Sequence, residues 1–81
     1  MDLSDNKLSK GLENLSHLAE LMSLVLANNQ FKDFEDISPL SKLGDLKTLD
    51  LFKCPVANRE DYKSSVFKMF PQLRILDGYN A

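Results

Sequence analysis

The sequence predicts an α/β repeat solenoid, in which short parallel strands line a concave face and helical or irregular turns form the convex side. Three observations support this fold class. Segments with one apolar pattern recur along the 81 residues, and the leucines between them follow a spacing that no single helix face accommodates. An apolar helical pattern near the C-terminus predicts a helical cap that covers the end of the solenoid core.

The repeat appears when the chain is aligned with itself. Residues 21–31 and 46–56 fit the pattern L-x-x-L-x-L-x-x-[N/C]-x-Φ, where Φ is apolar, and residues 1–8 fit it without its first three positions. Leucines at one pattern position are 23 and then 25 residues apart, at Leu3, Leu26 and Leu51. Leucine-rich repeats have periods of about 20–29 residues, so the spacing predicts this kind of repeat.

A small helical bundle is the competing interpretation, and the spacing of the apolar residues argues against it. An α-helix turns about 100° per residue, so each step of three residues falls about 60° short of a full turn. Over four such steps an apolar stripe would drift by about 240° and leave any one helix face. The apolar residues that recur every three positions are Leu12, Leu15, Leu18, Leu21, Leu24 and then Phe31, Phe34, Ile37, Leu40, Leu43, Leu46, Leu49.

We therefore expect each L-x-L segment to be a short parallel strand whose leucines point into the core. The convex connections contain Gly11, Pro39 and Gly44, which favour short helical turns over long helices. The whole chain is predicted to form a single domain, and it resembles a truncated segment of a longer solenoid. Its expected parts are repeats near residues 1–20, 21–45 and 46–57 and a C-terminal cap over residues 58–81.

One repeat position is occupied by Asn6, Asn29 and Cys54. We interpret it as structural, because an inward amide at this corner can bond to backbone N–H and C=O groups that a sharp turn leaves unpaired. Cys54 is expected to be a small core residue that replaces asparagine imperfectly.

The C-terminal segment is predicted to begin with a helix that Asn58 caps, with Glu60 and Asp61 in its first turn. Pro71 ends the helix, and a degenerate repeat copy follows from Leu73, with Gly78 in place of the third leucine. The apolar face of the helix consists of Tyr62, Val66, Phe67, Met69 and Phe70.

Composition and charge exclude several classes of function. No apolar run approaches the roughly 18 residues of a membrane span, and the N-terminus lacks the features of a signal peptide. Cys54 is the only cysteine, so the chain has no internal disulfide. The net charge is −2, with −4 over residues 1–40 and +2 over residues 41–81. This dipolar distribution contains no strong basic patch, and we expect neither nucleic acid nor a membrane as a partner.

Catalysis and metal binding are also not expected. His17 is the only histidine and lies in a convex connection, where we interpret it as a solvated residue. The acidic cluster at residues 33–36 lacks the spaced ligands and turn glycine of a calcium loop. One histidine and one cysteine do not make a structural zinc site, and there is no glycine-rich phosphate loop. We predict a protein without enzymatic activity, metal or cofactor.

The outward positions of the strands define a concave surface on which a protein could bind. These positions carry small residues, several carboxylates and one large aromatic ring, Phe52. Carboxylates select basic or polar partners, and a central aromatic residue is a common binding hot spot, although Phe52 could also simply pack against its neighbours. The residues predicted to face or border this surface are Asp2, Ser4, Asp5, Ser23, Val25, Ala27, Asn28, Thr48, Asp50, Phe52, Ile75, Asp77 and Tyr79.

Several strings resemble the last repeat and cap of the acidic leucine-rich nuclear phosphoproteins. They are L-D-L-F-K-C at residues 49–54, D-Y-K at 61–63, V-F-K at 66–68, P-Q-L at 71–73 and L-D-G-Y at 76–79. The resemblance extends over essentially the whole chain, with Ile75 where the family has tyrosine. The family normally has an N-terminal helix, further repeats and a long acidic tail, which this sequence does not contain.

The resemblance implies a nuclear and cytoplasmic adaptor that binds histones or inhibits a serine/threonine phosphatase. The alternative is a structural repeat fragment that mainly self-associates, as a homodimer formed through its N-terminal repeat. The strand at residues 1–4 would then pair with a second copy, because unprotected strand edges invite pairing.

Overall fold

The computed structural model of the chain describes residues 1–80 and contains a four-stranded sheet with its strands in chain order. Strand β1 (Ser23–Val25), β2 (Thr48–Asp50) and β3 (Ile75–Leu76) are parallel, whereas β4 (Tyr79–Asn80) is antiparallel to β3. Each parallel strand therefore begins a new coil of the chain, and the predicted leucine-rich repeat fold is confirmed.

The register of the sheet places equivalent repeat positions side by side. Leu24 lies beside Leu49, which lies beside Leu76. The first residues of the chain extend the ladder on the other side, where Asp2 forms a parallel bridge with Val25. The backbone N–H of Leu3 donates to the Val25 carbonyl oxygen at 2.8 Å, so the N-terminal segment pairs as predicted.

Short helices form the connections opposite the sheet. They are a 3₁₀-helix at Leu12–Leu15, helix α1 at Phe34–Ile37 and a second 3₁₀-helix at Ser38–Lys42. The acidic residues 33–36, which we did not expect to bind calcium, lie at the start of α1 with Asp33 at the N-cap position, and the Asp36 carboxylate accepts from the backbone N–H of Asp33 at 3.2 Å. These short helices agree with the short turns predicted from the glycine and proline residues of the connections.

The core lies between the sheet and these helices. Its residues come from every coil, and most are completely buried, because the three-residue spacing directs one side chain per short segment inward. The completely buried apolar side chains of the first two full coils are Leu24, Leu26, Phe31, Ile37, Leu40, Leu43, Leu46, Leu49, Leu51, Cys54 and Val56.

The C-terminal helix begins later than predicted. Asn58 does not cap the C-terminal helix, because Pro55–Asn58 forms a separate 3₁₀-helix. Helix α2 spans Tyr62–Met69, with Asp61 at its N-cap position. The extended backbone of Arg59 separates the two helices. Pro55 at the first position of the 3₁₀-helix favours a turn soon after the strand, because its fixed φ suits the start of a helix.

The cap closes the core with one helix face. Tyr62, Val66 and Phe70 are buried, while Phe67 and Met69 pack against the core with partial exposure. Burial on one side is what a terminal unit of a repeat protein requires, since its other side must face water.

Candidate protein-interaction surface

The outward positions of the strands form two lateral rows because the strands are in register. We call Asp2, Val25, Asp50 and Asp77 the central row, since each follows the preceding one across a strand pairing. The adjacent outer row contains the residues two positions further along each coil, which are Ser4, Ala27 and Phe52, and at its end lies Tyr79 of the antiparallel strand β4. The predicted positions Ser23, Thr48 and Ile75 lie side by side at the start of the strands.

Side-chain size changes along the outer row. Ser4 and Ala27 are small, whereas Phe52 and Tyr79 are large and have 59% and 56% of their surface exposed. Phe52 therefore does not pack into the core. The surface is therefore flat at the N-terminal coils, where the side chains are small, and two aromatic rings project from it at the C-terminal end.

Internal hydrogen bonds orient the carboxylates of the N-terminal coils. Asp2 Oδ1 accepts from the Ser4 backbone N–H at 2.9 Å and from the Ser4 hydroxyl at 2.6 Å, and these bonds lower the pKa of Asp2. Asp50 Oδ1 accepts from the backbone N–H of Phe52 at 2.9 Å, and Asp5 Oδ1 accepts from the side-chain amide of Asn28. All these bonds use one oxygen atom of each carboxylate, so the surface retains an acidic character.

Asp77 lies in the central row, but its carboxylate turns toward the protein. Oδ1 accepts from the backbone N–H of Leu51 at 2.6 Å, and Oδ2 accepts from the Tyr62 hydroxyl at 2.7 Å. In the preceding coil the corresponding N–H, that of Leu26, donates to the backbone carbonyl of Asp50 at 2.7 Å. The Asp77 carboxylate therefore replaces a missing strand carbonyl, since the chain turns away at Gly78, which has a φ of 86°.

The surroundings of Asp77 change its acidity and that of its partner. Burial raises the pKa of Asp77, although the bonds from Leu51 and Tyr62 act in the opposite direction. Burial and the bond to Asp77 raise the pKa of Tyr62, so its hydroxyl remains a donor. We predicted Asp77 as a partner-binding residue, and in the structure its two carboxylate oxygens accept hydrogen bonds that join β2 to the cap.

A cleft of about 420 Å³ lies where the concave surface meets the cap. Our sequence analysis missed its two lysines, because Lys53 and Lys63 belong to separate segments with no shared motif. Phe52 follows Leu49 by three residues, and Tyr79 follows Leu76 by the same number. This equivalence was the sequence signal that could have located the cleft. The side chains that line the cleft and carry its chemistry are Phe52, Lys53, Tyr62, Lys63, Asp77 and Tyr79.

The corner position differs in burial among the three coils. Asn29 is buried, and its Oδ1 accepts from the backbone N–H groups of Asn6 and Leu8 at 3.1 and 2.9 Å. Its Nδ2 donates to the carbonyl oxygens of Leu3 and Leu26 at 3.0 and 2.8 Å. One side chain thus joins the first coil to the second through four backbone groups.

The other two corner residues make fewer bonds. Asn6 is exposed, and its Nδ2 donates to the Leu3 carbonyl oxygen at 2.8 Å. Cys54 is buried, and its thiol donates to the Leu26 carbonyl oxygen at 3.2 Å. Burial raises the pKa of Cys54, so the thiol is not activated as a nucleophile.

The described part of the chain offers little for other chemistry. Residues 1–80 contain no group of three or more His, Cys, Asp or Glu side chains placed to hold a metal ion. His17 is exposed in the convex connection before Leu21. Among the helices described, none combines the length and apolar character needed to cross a membrane.

Stacked parallel-strand coils with an open, mixed acidic and aromatic surface define a repeat protein. A leucine-rich repeat family model matches residues 1–80, and the chain belongs to the leucine-rich repeat family.

Solved structures agree with this assignment. The crystal structure of the Drosophila melanogaster SNF/U2A′ complex matches with a TM-score of 0.78 and 32% identity over 91% of this chain and 41% of that chain. The Mex67:Mtr2 subunits from Chaetomium match with a TM-score of 0.83 and 28% identity over 98% of this chain and 53% of that chain. The Mex67 leucine-rich repeat domain from Chaetomium thermophilum matches with a TM-score of 0.84 and 28% identity over 98% of this chain and 55% of that chain. The chain thus spans 41–55% of the length of the structures it matches.

Proposed function

We propose that this chain is a non-catalytic scaffold that binds a protein partner on its concave face. The observation that carries the proposal is the exposure of Phe52 beside a floor of small residues and oriented carboxylates. Small side chains allow a partner to approach the sheet closely, and a large exposed ring supplies apolar contact area that an interface can bury. The similar structures include protein complexes, SNF/U2A′ and Mex67:Mtr2, which supports this role.

The carboxylates indicate the chemistry of the partner. Asp2, Asp5 and Asp50 lie on the same surface, and lysine or arginine residues of a partner would complement them. The resemblance to the acidic leucine-rich nuclear phosphoproteins names two candidates, histones and a serine/threonine phosphatase, and with them a nuclear and cytoplasmic location. Histones fit the acidic surface directly because they are basic proteins.

Titration calorimetry with core histones and with a phosphatase catalytic subunit tests the proposal. Phe52→Ala should weaken binding by about thirtyfold or more if the ring is a hot spot, since hot-spot truncation costs about 2 kcal/mol or more. Met22→Ala is the matched control, because Met22 is an exposed large apolar residue, 61% accessible, outside the predicted surface. Equal effects of the two substitutions, or no binding to either protein, would contradict the proposal.

Self-association through the N-terminal repeat is the second candidate, and one observation favours it. Most leucines near the N-terminal end are only partly buried, with the buried Leu12 as the exception, in contrast to the completely buried leucines of the next coils. The residues concerned are Leu3, Leu8, Leu15, Leu18 and Leu21. Sedimentation over a concentration series should then show dimers that persist in Phe52→Ala, whereas a single 9.2 kDa species would exclude this candidate.

A further inference from the structure

The cleft beside the cap differs in character from the rest of the concave surface. Phe52 and Lys53 reach it from the loop after β2, and Lys63 and Tyr79 reach it from α2 and β4. The N-terminal coils present carboxylates, whereas this end presents two aromatic rings and two ammonium groups. From this arrangement we infer that the cleft binds a short acidic peptide segment of a partner protein, with an apolar side chain held between the rings.

Backbone geometry explains why the rings are presented to solvent. The chain adopts a left-handed conformation directly after Phe52, at Lys53, with a φ of 64°. It does so again directly before Tyr79, at Gly78, with a φ of 86°. The two sharp turns leave each ring at the rim of the cleft, about 59% and 56% exposed. These exposures identify the rings as apolar surface that a ligand could cover.

The ammonium groups lie near the rings. Lys63 Nζ is 4.0 Å from the Tyr79 ring centroid, and Lys53 Nζ is 5.9 Å from the Phe52 ring centroid. Cation–π contacts at exposed sites are weak, so they position an ammonium group without consuming its hydrogen-bond donors. The cleft therefore combines apolar area and positive charge within one small volume.

The nearest carboxylate is already occupied. Asp77 lines the cleft, but its two oxygens accept from the Leu51 backbone and the Tyr62 hydroxyl. Within residues 1–80 the ion pair that forms is between Arg59 and Asp33, neither of which lines this cleft, and neither lysine takes part in it. Both ammonium groups are therefore available to carboxylates of a partner.

The charges around the cleft favour a peptide over a nucleic-acid strand. Asp50 lies on the concave side, while Glu60 and Asp61 are exposed on the side where α2 begins. A continuous phosphate backbone would pass these carboxylates and be repelled, since single-stranded nucleic acid follows a continuous basic groove. A peptide can place two carboxylates at the lysines and an apolar residue between them, with neutral residues elsewhere.

The proposed function assigns a basic partner to the acidic coils, so the two predictions concern opposite charges and share only Phe52. Fluorescence anisotropy with the full chain separates them. The probes are a labelled peptide of Asp and Glu with two central Leu residues, the same peptide with Ser in place of Leu, a Lys-rich peptide and an oligouridine.

The lysines are tested with Lys53→Gln combined with Lys63→Gln. We expect the acidic peptide to bind this variant about tenfold more weakly than the native chain, because charge-assisted hydrogen bonds are lost. Lys10→Gln combined with Lys42→Gln changes the net charge equally at exposed sites outside the cleft and should have little effect. Equal weakening in both double variants, or no binding of the acidic peptide to the native chain, would overturn the inference.

The rings are tested by combining a protein change with a peptide change. Replacing Leu by Ser should weaken the peptide on the native chain, but not on a variant with Phe52→Ala and Tyr79→Ala, if the leucines lie between the rings. A leucine effect that persists in this variant would overturn the inference. Lysine-dependent binding of oligouridine without binding of the acidic peptide would also overturn it. If the native chain bound the acidic peptide but not the Lys-rich peptide, the result would contradict only the proposed function.

Discussion

Asn29 is the residue on which the pairing of the first two coils depends most. Its amide bonds to four backbone groups of residues 3–8 and 26, and it is buried. Asn29→Ala leaves the backbone N–H groups of Asn6 and Leu8 without their acceptor, whereas the carbonyl oxygens of Leu3 and Leu26 keep bonds from Asn6 and Cys54. Each N–H group left unpaired away from water costs about 1 kcal/mol or more. We expect the free energy of unfolding in urea to fall by about 2–4 kcal/mol.

The other two corner residues provide matched controls for Asn29→Ala. Asn6→Ala removes one exposed bond and should cost under about 1 kcal/mol. Cys54→Ser should cost only about 1 kcal/mol, because the hydroxyl can keep the bond to the Leu26 carbonyl. Similar losses in all three variants would show that the amide of Asn29 has no special structural role.

Asp77 should make stability depend on pH in a direction opposite to that of an ordinary paired carboxylate. Its pKa is raised in the folded chain by burial, with repulsion from Asp50 as a smaller cause, so the folded state holds the proton more readily. Its contribution to stability is present below the unfolded pKa and is lost as pH rises through the folded pKa. Asp77→Asn removes this titration.

We therefore expect the stability of the native chain, relative to Asp77→Asn, to decrease as pH rises above the ordinary aspartate pKa of about 3.9. Urea denaturation of both proteins at each pH measures the difference, and titrations of all other groups largely cancel in it. An increase of the difference with pH would show that the hydrogen bonds from Leu51 and Tyr62, rather than burial, dominate the pKa of Asp77.

At the scale of elements, the cap determines whether the repeats hold together. Tyr62, Val66 and Phe70 are buried against the last coil, and burial of each is worth about 1.5–3 kcal/mol. Strand β3 also pairs with β2, so removal of residues 58–81 would leave one edge of β2 without a hydrogen-bonding partner. Because small domains have about 5–15 kcal/mol of stability, the truncated chain should not unfold cooperatively.

Thermal unfolding followed by circular dichroism measures this loss. Phe70→Ala is a graded version that should lower stability by about 3–5 kcal/mol, and substitution of the partly exposed Phe67 should cost less. A truncated chain with a cooperative transition at a similar temperature would contradict the capping role.

Across the whole molecule, burial increases from the first coil toward the centre. Leu3 and Leu8 are partly buried, whereas Leu49 and Leu51 are completely buried. Local opening is easier where fewer apolar contacts are lost, so amides of residues 1–8 should exchange with deuterium faster than those of β2. Nuclear magnetic resonance of one sample measures both groups, and equal protection would contradict a graded core.

The regular spacing of leucines carried enough information to predict the fold, because it is a property of the local sequence. Leucines at one pattern position lie in adjacent strands, as the pairing of Leu24 with Leu49 and Leu76 shows. The same alignment placed Phe52 on the concave surface, Tyr79 at the end of that surface and Asn29 at the corner. Repeat spacing also separated the chain from a helical bundle before any contact was known.

Only the tertiary structure decided the contacts between segments that share no repeat position. Asp77 aligns with Asp50, yet its carboxylate turns inward, because the chain leaves the sheet at Gly78 and Leu51 then lacks a backbone partner. Lys63 comes to Tyr79 from a different element, and α2 begins at Tyr62 because Pro55–Asn58 folds separately. A repeat pattern specifies which positions are equivalent, whereas the path of the chain where the repeat ends determines which unlike side chains meet.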